Sequence, residues 1–139
     1  MSRILIDTSV WIEFFNPKSR LSENFSLELS NRIISDEVAM IEPIRAELLS
    51  GAILPKKKSE IEACLSIIQS ADLAWNDRKI WDEIISLSNI MRSHRLSVPG
   101  VVDRMVLLAA SKTGSFLCTL DKSLLNLARI MDVATLEVS

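Results

Sequence analysis

Apolar positions along the chain recur in two rhythms, short uninterrupted runs and runs spaced by three or four, and the two alternate. Ile4-Leu5-Ile6 is the first short run. It stops at Asp7-Thr8-Ser9, residue types that cap helices, and predicts a buried strand opening into a helix that carries Val10, Trp11, Phe14 and Phe15 and ends before Pro17. A helix over about Ser22 to Ser35 follows, then a second short strand, Val38 to Ile41. Pro43 in a first helical turn and Gly51 just past the pattern bracket a helix over Pro43 to Ser50. Pro55 to Lys58 is a break, and helices are predicted at about Ser59 to Ser70 and Asp77 to Ser93. Val98-Pro99-Gly100 leads into a strongly apolar helix, Val101 to Lys112, which Gly114 ends. Phe116 to Thr119 is a third strand running into Asp121, followed by a helix near Lys122 to Met131 and a terminal strand over Ala134 to Val138. Short apolar strands separated by helices predict a parallel sheet covered on both faces, a three-layer α/β/α sandwich in one domain spanning 1–139.

Composition narrows the chemistry. The 139 residues are 48% hydrophobic and 24% charged, the balance of a globular chain rather than a disordered one. A single histidine, His94, is one short of a Cys₂His₂ zinc site and turns attention from imidazole to carboxylates. Cys64 and Cys118 stand far apart with no CxxC, as expected of plain buried thiols in a reducing compartment. Few apolar residues precede Asp7, and no apolar run approaches the roughly 20 residues of a membrane span, so the expectation is a cytoplasmic protein without membrane contact. The net charge of −2 excludes a bulk polycation that grips nucleic acid by overall charge, though not a local basic patch.

The placement of the acids is more telling. Ligands of open α/β sheets collect beyond the carboxyl ends of the strands, and Asp7 and Asp121 each follow a predicted strand there. An Asp between strand and helix also serves as a plain N-cap, and position alone does not choose between the two roles. Asp103 is sharper: on its helix it shares a face with Val106, Leu107 and Ala110, so a carboxylate points where apolar side chains point. Burying that ion needs a buried cation, a cap or a metal. Glu47 borders the apolar face of its helix, beside Ile44 and Leu48, where an acid is also often merely solvated. If the sheet is parallel, Asp7, Glu47, Asp103 and Asp121 converge, and four carboxylates in one pocket demand a divalent cation. All-oxygen ligation selects Mg²⁺, with Mn²⁺ as substitute, and suits phosphate-ester hydrolysis by an activated water.

These residues resemble a known family. Ile4-Leu5-Ile6-Asp7-Thr8-Ser9-Val10-Trp11 looks like the opening strand and Asp-Thr-Ser/Asn turn of PIN-domain ribonucleases, in particular the VapC-type toxins of toxin–antitoxin pairs. Glu42-Pro43-Ile44-Arg45-Ala46-Glu47-Leu48-Leu49-Ser50-Gly51 is similar to the second motif, with the acid at Glu47. Asp103 with Met105, Val106 and Ala110 matches the third, and Thr119-x-Asp121 the fourth. The chain departs from the family at Leu107-Leu108, where small alanines are usual, and at Ser123-Leu124, where a further Asp and a Phe are common. The resemblance implies a PIN-like fold and a metal-dependent endoribonuclease acting on single-stranded RNA. It also implies that Asp7, Glu47, Asp103 and Asp121 hold Mg²⁺ and the attacking water, with the Ser9 and Thr119 hydroxyls orienting the carboxylates. A homodimer and a cognate antitoxin covering the acidic site are implied as well.

RNA must then be held by cations outside the acidic pocket. Arg92, Arg95, Arg104 and Lys112 surround the single acid Asp103 in residues 92–112 and are the candidate contacts. Lys18 with Arg20 and Lys56-Lys57-Lys58 are further basic groups, the triplet reading more simply as a solvated loop; Trp75 and Trp81 fit core packing better than base stacking. A mean hydropathy of +0.25 predicts apolar surface covered by another chain, with Trp11, Phe14 and Phe15 either core or interface. Two other classes place acids similarly. A receiver or haloacid-dehalogenase-like phosphoryl-transfer domain would need a second acid that Asp7-Thr8-Ser9 lacks, and a PIN-like module that binds without cutting would not need all four acids.

Overall fold

In the computed structural model, described for residues 2–52 and 58–139, the elements follow in the order β1 (Ile4–Ile6), α1 (Thr8–Phe15), α2 (Glu23–Ile34), β2 (Val38–Met40), α3 (Glu42–Glu47), a π-helical turn (Leu48–Ala52), α4 (Lys58–Ser66), β3 (Gln69–Ser70), α5 (Arg78–Ser93), α6 (Val101–Thr113), β4 (Phe116–Cys118) and α7 (Lys122–Ile130). The strands form one sheet in the order β3-β2-β1-β4, and every pairing is parallel. All three residues of β1 and of β2 are buried, which requires cover on both faces and explains why these strands are continuous apolar runs rather than alternating ones. The predicted α/β architecture is therefore the one observed.

Local chemistry sets the element boundaries. Ser22 caps α2 by accepting from the Phe25 N–H at 3.1 Å, and Phe25, Leu29 and Ile33, spaced by four, are its buried stripe. Met105 to Ala110 of α6 are all buried, so this helix runs through the core, and it ends at Gly114, whose φ of 66° suits glycine. Leu107 and Leu108, where the resembling family is small, pack inside at 1% and 7% exposure. Trp11 is wholly buried core and stacks on Phe15 with ring centroids 5.6 Å apart, while Phe14 and Phe15 are partly buried and pack against the core from its margin. Each fully buried aliphatic of this kind contributes about 1.5–3 kcal/mol.

Three expectations are corrected. The helix predicted to Ser70 ends at Ser66, and Gln69–Ser70 become β3; both residues are exposed and polar, so only pairing with β2 makes them a strand. The terminal strand over Ala134 to Val138 reduces to a single parallel bridge, Leu117 with Thr135, flanked by Leu117 N–H to Ala134 O at 2.9 Å and Leu136 N–H to Leu117 O at 2.8 Å. The helix predicted over Pro43 to Ser50 changes character after Glu47, where the π-helical turn begins and leads to Gly51 at φ 128°. The predicted break at Pro55 to Lys58 and the lysines Lys56 and Lys57 lie outside the described residues, except that Lys58 opens α4.

Candidate active site

The sheet order places a topological switch point between β1 and β4: from β1 the chain moves to β2 and β3 on one side, then returns to add β4 on the other. Such a point opens a crevice at the carboxyl ends of the two strands. The register pairs Ile6 with Cys118, so the next residues, Asp7 and Thr119, stand side by side, and the Asp7 N–H donates to Cys118 O at 3.0 Å.

Asp7 is 2% exposed and held on both oxygens. Oδ1 accepts from Ser9 Oγ at 2.6 Å and from the Val10 N–H at 3.3 Å, while Oδ2 accepts from Thr119 Oγ1 at 2.5 Å. It is thus at once the N-cap of α1 and a member of the crevice. Burial raises its pKa above the ordinary carboxylate value; the hydrogen bonds from Ser9, Thr119 and Val10 oppose that rise, and the charge of Asp121 adds to it. Each hydroxyl is itself fixed: Ser9 Oγ accepts from the Leu120 N–H at 3.1 Å, and Thr119 Oγ1 from the Asp121 N–H at 3.0 Å.

Asp121 caps α7, and its donors converge on one oxygen. Oδ1 accepts from Ser123 Oγ at 2.7 Å, the Ser123 N–H at 2.8 Å and the Leu124 N–H at 3.1 Å. Partial desolvation is the largest single influence and raises its pKa, but the three hydrogen bonds together outweigh it and hold Asp121 below the ordinary value. Asp103, partly buried in the first turn of α6, has its Oδ2 3.9 Å from the point a side chain on Gly100 would occupy, and it accepts from the Gly100 N–H. Its carboxyl is pushed up to about 6, first by desolvation and then by the charges of Asp7, Asp121 and Glu47. Glu47 is exposed at the end of α3, with Oε1 accepting from Thr8 Oγ1 at 2.8 Å.

The four acids therefore share one electrostatic neighbourhood, and among the described residues none of them forms an ion pair. Their side chains are not drawn into a closed cage: among the described residues no three His, Cys, Asp or Glu side chains stand grouped to share an ion. The donor set nonetheless fits a hard divalent cation. It is all oxygen, is paired with no cation among the described residues, and includes one carboxyl raised first by burial and then by the charge of the other three.

The candidate cations differ in how they are engaged. Arg104 is partly buried and spends Nε on Pro99 O at 3.1 Å and Nη1 on Ile84 O at 3.0 Å, tying α6 to α5. Desolvation, and then the charge of Arg92, lower its pKa from a very high value. Lys112 Nζ pairs with Glu83 Oε1 at 3.1 Å. Among the described residues Arg92 makes long contacts, 3.4 Å each to Ser88 Oγ and Asn89 Oδ1, and Arg95 is exposed in a left-handed backbone conformation (φ 55°). Trp75 and Trp81 are partly buried and packed on the core, their rings 6.4 Å apart.

Two hydroxyls were not legible beforehand, those of Thr8 on Glu47 and Ser123 on Asp121. Both lie inside motifs read for their acids, Asp7-Thr8-Ser9 and Asp121-x-Ser123, and the second is a local Asx-type spacing that foretells such a bond.

A short parallel sheet with acids gathered at its switch point defines an α/β domain with a carboxylate-lined edge. The PIN domain family profile matches residues 4–130, and the chain belongs to the PIN domain family. Among curated proteins it is similar to the ribonuclease VapC11 of Mycobacterium tuberculosis and to a VapC ribonuclease of Mycobacterium bovis, in each case 34% identical over 73 residues. That match spans 50% of this chain and 52% of the relative, so the chain spans about half the length of the curated relatives it matches. The solved structure of FitAcB from Neisseria gonorrhoeae shares the fold, with a TM-score of 0.69 at 20% identity over 96% of each chain.

Proposed function

We propose that this protein is a Mg²⁺-dependent endoribonuclease that cleaves single-stranded RNA by an activated water, with Mn²⁺ as a working substitute. The observation that carries the reading is the uncompensated acid cluster: Asp103, raised to about 6 by burial and by Asp7, Asp121 and Glu47, with no cationic partner among the described residues. The names of the relatives, VapC ribonucleases, support it. Asp7, Glu47, Asp103 and Asp121 would hold the ion, which when bound supplies Lewis acidity and a lowered pKa for water. The chain's own part is orientation. Ser9 and Thr119 fix both oxygens of Asp7, Ser123 and the α7 N-terminus fix Asp121, and Thr8 steadies Glu47. Arg92 and Arg95, the less engaged cations, are the candidate phosphate contacts, while Arg104 and Lys112 have partners within the chain.

The role that follows is a cytoplasmic toxin held in check by a cognate antitoxin, acting as a homodimer. Exposed apolar side chains, among them Ile34 at 78% and Leu27 and Ile67 at 60%, favour surfaces covered by other chains. The test is cleavage of single-stranded RNA by purified protein with Mg²⁺, stopped by EDTA and restored by Mn²⁺. Metal binding without cleavage of any RNA would favour a non-cutting module, and phosphate trapped covalently on Asp7 a phosphoryl-transfer enzyme.

A further inference from the structure

Asp72 stands outside the four acids, at the carboxyl end of β3. The β2–β3 register pairs Met40 with Ser70, and the Ala71 N–H donates to Met40 O at 2.8 Å, which carries Asp72 across to the start of α3. Helix α3 begins without a side-chain cap of its own, because the capping residue is Ile41. The leading N–H, that of Glu42, would lack a partner. Asp72 Oδ1 accepts it at 2.8 Å from thirty residues away in sequence. The same oxygen accepts from Trp75 Nε1 at 2.7 Å, Ser70 Oγ donates to Oδ2 at 2.9 Å, and Trp75 O accepts from Trp81 Nε1 at 2.6 Å. Asp72 is therefore locked on both oxygens and joins the start of α3 to α5.

Helix α3 spans six residues, about 9 Å, and is too short to keep its place by internal hydrogen bonds alone. Ile44 is its buried anchor, Asp72 pins its first residue, and the Thr8 hydroxyl donates to its last, Glu47. We propose that Asp72 is a positioning residue for Glu47: by lending α3 the cap its own sequence lacks, it fixes the helix axis and so the reach of Glu47 toward Asp7, Asp103 and Asp121. The proposal rests on reading Glu47 as part of a metal-holding site.

The experiment is a Mn²⁺ titration by calorimetry on the full chain for wild type, D72A, D72N, E47Q and D72A/E47Q, with backbone amide and indole NMR spectra of each. D72A is expected to weaken Mn²⁺ binding about 10-fold, the range found when partners that orient a ligand are removed. D72N should restore most of the affinity, since Asn caps a helix as well as Asp. In the E47Q background D72A should change affinity less than about twofold, because residues acting through one another are not additive. The Trp75 indole signal and the Ala46 and Glu47 amide signals should move in D72A, the amides returning in D72N. Unchanged Mn²⁺ affinity in D72A, an equal loss in the E47Q background, or unmoved Ala46 and Glu47 amides would overturn the proposal. If D72A behaves as expected but wild type cuts no RNA, the ribonuclease reading fails and the positioning role stands; a wild type that binds no Mn²⁺ overturns both.

Discussion

Acids at the amino edge of the sheet and the four acids of the crevice at its carboxyl edge are met in opposite ways. At the amino edge, Asp36 receives Arg3 at 3.1 Å, and Arg32 reaches both Glu28 at 3.0 Å and Glu37 at 3.4 Å. At the carboxyl edge, Asp7, Asp103 and Asp121 are met only by hydroxyls and backbone N–H groups, and Glu47 by one hydroxyl. Asp36 and Glu28 are exposed and Glu37 only partly buried, so these pairs are worth little, whereas the partly buried Asp103 and the buried Asp7 lack, among the described residues, the partner that burial would favour. The difference is that these four acids, unlike the paired ones, have their charge uncompensated among the described residues, which is the feature the proposed metal site rests on.

The largest effect that would sharpen this contrast is on catalysis. D7N should lower Mg²⁺-dependent RNA cleavage by more than about 100-fold, since even the partners of a metal ligand carry 10–100-fold. Its fold should persist, because Asn is a good N-cap. R3A should leave cleavage unchanged; wild-type rates for D7N in a fluorogenic RNA assay would break the comparison. Next, Mg²⁺ should stabilise the protein, by about 2.7 kcal/mol at one hundred times its Kd, and this gain should vanish in D103N, read as the shift of a urea unfolding midpoint. A smaller effect concerns pH in EDTA. The Asp103 carboxyl, raised to about 6 in the folded protein, has an unfolded value near ~3.9, so its contribution to stability is fully present below that value and is lost as pH rises through about 6. Metal-free wild type should therefore lose stability between pH 4 and 7 relative to D103N, and parallel profiles for the two would count against the cluster. The smallest effects belong to the amino edge: R3A and R32A should each cost less than about 1 kcal/mol, shrinking further in high salt.

Much of this arrangement was legible because burial writes itself into sequence. Ile4-Leu5-Ile6 and Val38-Ala39-Met40 are continuous apolar runs, since both faces of those strands are covered, and Asp103 betrayed itself by sharing a helical face with core residues. Gln69 and Ser70 carried no such mark, because an exposed two-residue strand is defined by its neighbour's backbone rather than by its own side chains. The π-helical turn after Glu47 was hidden for a similar reason, as Leu48 and Leu49 suit an α-helix equally well. Asp72 was invisible because it acts across thirty residues, at a helix start whose own cap position holds Ile41. Arg104 read as a free cation until the structure showed its guanidinium tying two backbone carbonyls.

The bond from Thr119 to Asp7 joins residues 112 positions apart, and β4 fills the slot beside β1 that the chain left open at its beginning. During translation Asp7 emerges early and Thr119 late, and closing so long a loop is entropically costly and slow compared with local helix formation. Until β4 docks, Asp7 has neither the Thr119 hydroxyl nor Asp121 beside it. The acidic crevice is therefore complete only when the last strand of the sheet has taken its place beside the first.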